Sequence, residues 1–209
     1  MTDLVATRRS LHGAAELLLA GPQHARSGTI RLIPCADGFA TTTEPAASIV
    51  RGSLVHDGRT VPLDGRTIAE AAAAVGLTPC SLDDLYQDST GIGLDERLVI
   101  DDEAAAEIAA AFALGHDALQ AFHPGETPVL WPEHFDLGIT VDEVNYGVSP
   151  GDGFLAVPYA YVGPWTPLEG AFWNAPFGAA RPLSDLTDLP DLAAWFAEGA
   201  DLTTKETNR

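Results

Sequence analysis

An α+β fold, in which an antiparallel β-sheet built from hairpins packs against helices on one face, is predicted by three features of the sequence. Asp-Gly pairs separate short alternating segments in the first third of the chain, Ala-rich stretches with helical periodicity follow, and a late run of polar and aromatic residues alternates with period two. Together they predict sheet and helix in one layered unit.

The first element is a helix, because Leu4, Leu11, Ala15 and Leu18 recur at helical spacing, and Gly21-Pro22 is expected to stop it. Asp3, His12 and Glu16 interrupt the apolar run and no small-residue cleavage site follows, so the segment reads as an amphipathic helix and not as a secretion leader. Next, TIRLIP and FATTT flank Ala36-Asp37-Gly38, and SIVRGSLV and RTVPL flank His56-Asp57-Gly58, which predicts two hairpins of one antiparallel sheet. Thr67 with Glu70 forms a capping box ahead of an Ala-rich helix to Val75, closed by Gly76.

Between Leu77 and Leu98 the periodicity weakens, and an irregular connection lying over the sheet is expected. Asp101 caps a third helix whose stripe is Ala105, Ile108, Phe112, Leu119 and Phe122, and Pro124-Gly125 ends it. His116, near its C-terminal part, complements the helix dipole, a structural role. A last helix is expected from about Leu189 to Glu198, followed after Leu202 by a disordered tail, residues 203–209. No linker-like run divides residues 1–202, so a single domain is expected.

Composition excludes some functions. Hydrophobic residues make up 46% and charged residues 20%, enough apolar material for a substantial core. With 30 acidic against 11 basic residues the net charge is -19, which repels a phosphate backbone and argues against nucleic-acid binding. No window has the length of apolar sequence needed to cross a bilayer, so no membrane partner is expected. Cys35 and Cys80 make neither a disulfide framework nor a thiolate metal cluster and fit a reducing, cytoplasmic compartment. GIGLDE after Thr90 lacks the Walker lysine and the dinucleotide glycine pattern, so no nucleotide or other cofactor is implied. Oligomeric state leaves no trace in the sequence.

Site-like character concentrates between Trp131 and Trp165. Period two places Phe135, Leu137 and Ile139 on one side of a strand and His134, Asp136, Gly138 and Thr140 on the other. Tyr146 and Val148 alternate with Asn145, Gly147 and Ser149, and Ala160 and Val162 with Tyr159, Tyr161 and Gly163. As neighbouring strands sharing a core side, these segments bring His134, Asp136, Asn145, Ser149, Tyr159 and Tyr161 onto one polar aromatic surface. Ser149-Pro150-Gly151-Asp152 suits a tight turn that sets Asp152 at its rim, with Trp165 and Trp173 available as walls and Trp131 as a further ligand-binding candidate. Arg181, the next Arg or Lys after Arg97, serves either as a structural ion pair or as the holder of an anionic ligand group.

These blocks carry a resemblance. Trp131 to Asp136, Asn145 to Asp152 and Pro158 to Tyr161 are similar to Trp-Pro-x-His-Phe-Asp, Asn-aromatic-Gly-x-Ser-Pro-Gly-Asp and Pro-Tyr-x-Tyr of an uncharacterised bacterial domain-of-unknown-function family. The chain departs from that pattern with Glu133 where His often stands and Ala160 where an aromatic does. Beyond the C-terminal blocks the likeness is loose, at Leu11-His12 and through the hairpins. The resemblance implies a shared fold and surface and brings no activity.

Three functions are open at this stage. His134 and Asp136 suit general acid-base catalysis, with the carboxylate orienting the imidazole and a tyrosine polarising an oxygen. The same face suits ligand binding without chemistry. A structural or interaction role would instead use an apolar surface around Trp173-Asn174-Ala175-Pro176-Phe177. Metal binding by His134 and Asp136 lacks a third ligand unless Asp152, Glu133, His12 or His56 supplies it. Ser149 lacks the Gly-x-Ser-x-Gly elbow of a nucleophile.

Overall fold

The computed structural model describes residues 3–86, 89–186 and 188–207, and its described part is an α+β fold with antiparallel strand pairing throughout. Where the sequence showed no linker, the chain forms two compact units: one up to Ala110 plus Leu130–Phe135, the other Ala111–Val129 plus the segment from Asp136. The chain passes between them more than once, at positions inside helix and strand, so no Pro/Gly-rich boundary marks the division.

The first unit begins with α1 (Leu4–Ala14), a π-helical segment (Ala15–Ala20) and α2 (Gly21–Ser27) in one continuous run. Gly21-Pro22 therefore does not stop the helix, which ends at Gly28 in the left-handed conformation, φ 77°. The reason lies in the π turn. Pro22 has no N–H for the carbonyl of Leu17 five residues back, and that carbonyl accepts from Cys80 N–H at 3.1 Å instead. Gly21 is required at the same point, since a Cβ there would fall 1.9 Å from the Cys80 carbonyl oxygen.

Strands β1 (Leu32–Cys35), β2 (Gly38–Thr41), β3 (Ala47–Val50), β4 (Ser53–His56) and β5 (Arg59–Pro62) follow as a meander. Both predicted hairpins form, and SIVRGSLV divides into β3 and β4 around Arg51-Gly52, where φ is 48° and 67°. Phe39, Ile49, Leu54 and Val61 stand in one cross-strand row and are buried, Leu54 completely. The capping box of α3 (Ile68–Val75) is present on both sides, with Gly76 at φ 77° closing the helix.

The irregular segment after α3 is seated along the first helix run by a succession of small or polar residues. Val99 N–H donates to Ser10 Oγ at 2.9 Å and Asp101 N–H to Thr7 Oγ1 at 2.9 Å. Ile92 lies so close to Gly13 that a Cβ there would come within 2.7 Å of it. Asp101 then caps α4 (Asp102–Phe122) through Ala104 N–H at 2.9 Å, and β6 (Val129–Trp131) pairs with β1 at Leu32–Leu130.

The second unit is a four-stranded antiparallel sheet of β7 (Asp136–Val141), β8 (Val144–Ser149), β9 (Tyr159–Pro164) and β10 (Ala179–Pro182). Its core side holds Leu137, Ile139, Val144, Tyr146, Val148, Ala160 and Val162, all buried as the alternation predicts. Helices cover that side. Gly115 of α4 rests on Val148, and Phe196 of α5 (Leu189–Thr207) meets Tyr146 edge-on at 6.1 Å. α5 runs beyond the expected Glu198 and past Leu202, so the chain is helical where a disordered tail was expected, through Thr207. Asn208 and Arg209 of that tail lie outside the described residues.

Candidate functional site

The polar side of the second sheet is set by strand register. Thr140 faces Asn145 and Asn145 faces Gly163; Gly138 faces Gly147 and Gly147 faces Tyr161; Ser149 faces Tyr159. Asp136, Asn145, Ser149, Tyr159 and Tyr161 thus share the side opposite the helices, as period two predicts. The two glycines remove the side chains from the middle of that surface, and the phenol of Tyr161 lies across them. A Cβ on Gly147 would fall 2.4 Å from Tyr161 Cζ and 2.4 Å from its oxygen, and one on Gly138 would fall 2.9 Å from that oxygen.

Laid flat in this way, Tyr161 donates its hydroxyl proton to Asp136 Oδ2. Tyr159 does the same to Asp152 Oδ2, at 2.6 Å. Asp152 is itself fixed by the turn: its Oδ1 accepts from Phe154 N–H at 2.7 Å and Leu155 N–H at 3.0 Å, while Ser149 Oγ accepts from Gly151 N–H at 3.1 Å. Burial pushes both phenols up, and their hydrogen bonds to Asp152 and Asp136 and the charges of those carboxylates push them further, so the protons stay on the tyrosines. The result is a pair of preorganised phenol-carboxylate groups.

Two further aromatic residues complete the surface: Phe154, which the sequence reading does not single out, and Phe177, which it assigns to an alternative apolar interaction surface. Phe154, in the loop fixed by Asp152, meets Phe177 edge-on at 5.1 Å, and Phe177 stacks on Tyr159 at 6.4 Å and meets Tyr161 edge-on at 6.5 Å. Phe154 and Phe177 are 47% and 38% exposed. Further along the same side, Asn145 Oδ1 accepts from Thr140 Oγ1 at 2.8 Å and from the indole N–H of Trp165 at 3.4 Å. Trp173 stands elsewhere, edge-on to Phe172, whose ring lies at 5.5 Å from Trp195 of α5.

Of the other expected members, His134 and Trp131 belong to the first unit, and Arg181 is on the opposite side of the second sheet. β7 begins at Asp136, and Phe135 before it has φ 51°, so the strand alternation stops short of His134. His134 belongs to the first unit with a side chain 60% exposed, and its imidazole is 3.7 Å from Glu133 Oε1. Trp131 also belongs to the first unit, with the Arg31 guanidinium over its ring at 5.8 Å. Arg181 stands opposite Ala160 on β10, on the side that carries the helices, whereas its neighbour Ala180 faces Tyr161. An anion held at the tyrosines would have the sheet between it and the Cα of Arg181.

The first unit has a polar cluster of its own. Glu16, 3% exposed, sits on the π segment, and its Oε2 accepts from Thr90 Oγ1 at 2.7 Å and Thr90 N–H at 3.2 Å. Its Oε1 accepts from the Tyr86 hydroxyl at 3.2 Å and lies 4.0 Å from His12 Nε2. Burial raises the Glu16 carboxyl against the pull of these donors. His12 stacks on Phe135 at 5.2 Å, and its Nε2 is 2.5 Å from the Pro132 carbonyl. Burial lowers His12 to about 4, so at neutral pH the ring is uncharged and its Nε2–H donates to Pro132. Glu16 reads in the sequence as an interruption of an apolar run; the π turn, which turns it inward, has no periodicity signal. These bonds hold Tyr86 and Thr90 against the helix, an anchoring role.

Among the described residues no three His, Cys, Asp or Glu side chains are arranged to hold a metal ion, and no helix is long and apolar enough to cross a membrane. Searches of protein-family models, curated proteins and solved structures match nothing to this chain.

Proposed function

We propose that the protein binds a small molecule on the polar aromatic side of its second sheet, between the phenol-carboxylate pairs and the exposed rings of Phe154 and Phe177. One observation carries the reading: Gly138 and Gly147 leave a recess that fixes the Tyr161 hydroxyl on Asp136. Two glycines in adjacent strands cost conformational entropy and apolar contact, and a β-branched pair would make a more stable sheet. Their presence instead fixes a donor-acceptor pair on the side of the unit's sheet opposite its helices, next to the exposed rings of Phe154 and Phe177, the convergence of polar groups and aromatic walls typical of ligand sites. Cys35 and Cys80 are free thiols, consistent with cytoplasmic residence as part of the same proposal.

The test is a thermal-shift screen of small polar molecules on the full chain, repeated with Tyr161→Phe and Phe177→Leu. Compounds that raise the melting temperature of the native protein are expected to lose most of that effect in both variants. Undiminished stabilisation of both would place binding elsewhere.

A further inference from the structure

We infer that the ligand of this surface is a small organic cation, an ammonium group bearing an apolar substituent; the inference rests on the binding reading above and gives it a ligand class. Three independent features point the same way.

The first is the sign of the field. No Lys or Arg occurs between Arg97 and Arg181, and Arg181 is on the helix side of the sheet. The acidic side chains of Asp136 and Asp152 accept the Tyr161 and Tyr159 hydroxyls on this side of the sheet. A carboxylate or phosphate ligand would enter a region of negative potential, whereas a cation is drawn in.

The second is the ring geometry. Phe154 and Phe177 cross at 74°, Phe177 and Tyr161 at 85°, while Phe177 and Tyr159 lie within 27° of parallel. Mutually perpendicular rings present π faces in more than one direction, and each face carries the negative lobe of the quadrupole. Aromatic walls of this kind hold ammonium groups, more strongly where water is partly displaced. The third is exposure. Of the large hydrophobic side chains most exposed among the described residues, the three aromatic ones, Phe154, Trp165 and Phe177, all lie in this unit, at 47%, 63% and 38%. The same unit buries Phe196 completely, so room for aromatic burial exists and the exposed rings are not surplus to a full core.

A neutral polyol would also find acceptors on the carboxylates, so charge is the variable to isolate. Choline, its neutral isostere 3,3-dimethylbutan-1-ol and the anion 3,3-dimethylbutanoate share one shape and differ in charge. Binding of each to the full chain is measured by isothermal titration at low and high salt, with chemical shifts of the Phe and Tyr rings read in parallel. Choline is expected to bind about tenfold more tightly than the alcohol, with the anion weakest and the preference shrinking at high salt. Asp136→Asn and, separately, Phe177→Leu should each remove most of the preference. Phe177→Leu retains an exposed apolar residue at a turn and guards against loss of fold in the carboxylate variant. Equal binding of choline and alcohol at the rings overturns the cation inference and leaves the binding reading standing. Failure of choline to move the ring resonances at millimolar concentration also overturns it, while the screen described above decides the binding reading separately.

Discussion

Gly147→Ala is the perturbation that tests the Tyr161 recess most directly. In an ordinary strand the change stabilises by about 0.5–1 kcal/mol, because alanine loses less backbone entropy on folding. Here the new Cβ would fall 2.4 Å from Tyr161 Cζ, from its hydroxyl and from the Leu137 carbonyl oxygen. The phenol must swing away, breaking its bond to Asp136, and the backbone carbonyl gives only by shifting β7. Overpacking of this kind costs about 1–3 kcal/mol, and loss of a hydrogen bond to a charged acceptor about 1.5–3 kcal/mol. The steric and hydrogen-bond losses outweigh the entropic gain, leaving a net destabilisation of about 3 kcal/mol. For a chain of this size that lowers the melting temperature by roughly 6–12 °C. Urea unfolding of Gly147→Ala, Tyr161→Phe and the double variant reads it out. Tyr161→Phe alone loses only the bond, about 2 kcal/mol, and the double variant should cost less than the sum of the singles, because both remove the same bond. A Gly147→Ala protein as stable as the native one would refute the recess and with it the basis for the binding site.

Two further outcomes follow from the first unit. Gln23, fully buried, donates to the carbonyls of Thr29 and Arg31 and accepts from Thr42 N–H, Thr42 Oγ1 and Thr43 N–H. Gln23→Leu keeps the volume and strands these groups, so urea unfolding should show a loss of about 4 kcal/mol; a loss below about 1 kcal/mol would mean that water replaces the amide. His12, lowered from 6.5 to about 4, has a depressed folded pKa. The unfolded chain then binds the proton more readily, so the contribution of neutral His12 is present above pH 6.5 and is lost as pH falls towards 4. Between pH 7 and 4.5 the loss is about 2.5 kcal/mol. Unfolding of His12→Gln over the same range should be less acid-sensitive by about that amount, and parallel pH profiles would sink the assignment.

Much of the fold was legible where one residue type has one local use. Thr67, Glu70 and Gly76 gave both ends of α3, and Asp57-Gly58 gave a two-residue turn with φ of 48° and 71°. Arg51-Gly52 and Asp142-Glu143 make the same backbone turn, yet Arg and Glu at positive φ go against local preference, and the hairpin geometry overrides it. α5 runs past its expected end because no Gly or Pro follows Gly199 to close it, and the apolar stripe marks only the part of the helix that packs. On the candidate site, alternation placed Asp136, Asn145, Ser149, Tyr159 and Tyr161 correctly because the sheet has a period of two. It failed at His134, where Phe135 leaves the strand conformation. Phe154 and Phe177 come from loops, to which no period applies, and their approach to Tyr159 is a tertiary fact.

The six π-helical residues have a consequence for how this chain tolerates change in length. A π turn holds one residue more than an α-helical turn in the same place, so the surplus residue is taken up locally and the helix on either side keeps its phase. A one-residue deletion within Ala15–Ala20 would let the segment close to α-helix with Gln23 still directed at the Thr42-Thr43 backbone, and its cost would be confined to the segment itself, whose Glu16 bonds to Tyr86 and Thr90. The same deletion in α1 or α2, where no turn absorbs it, would rotate everything beyond by about 100°.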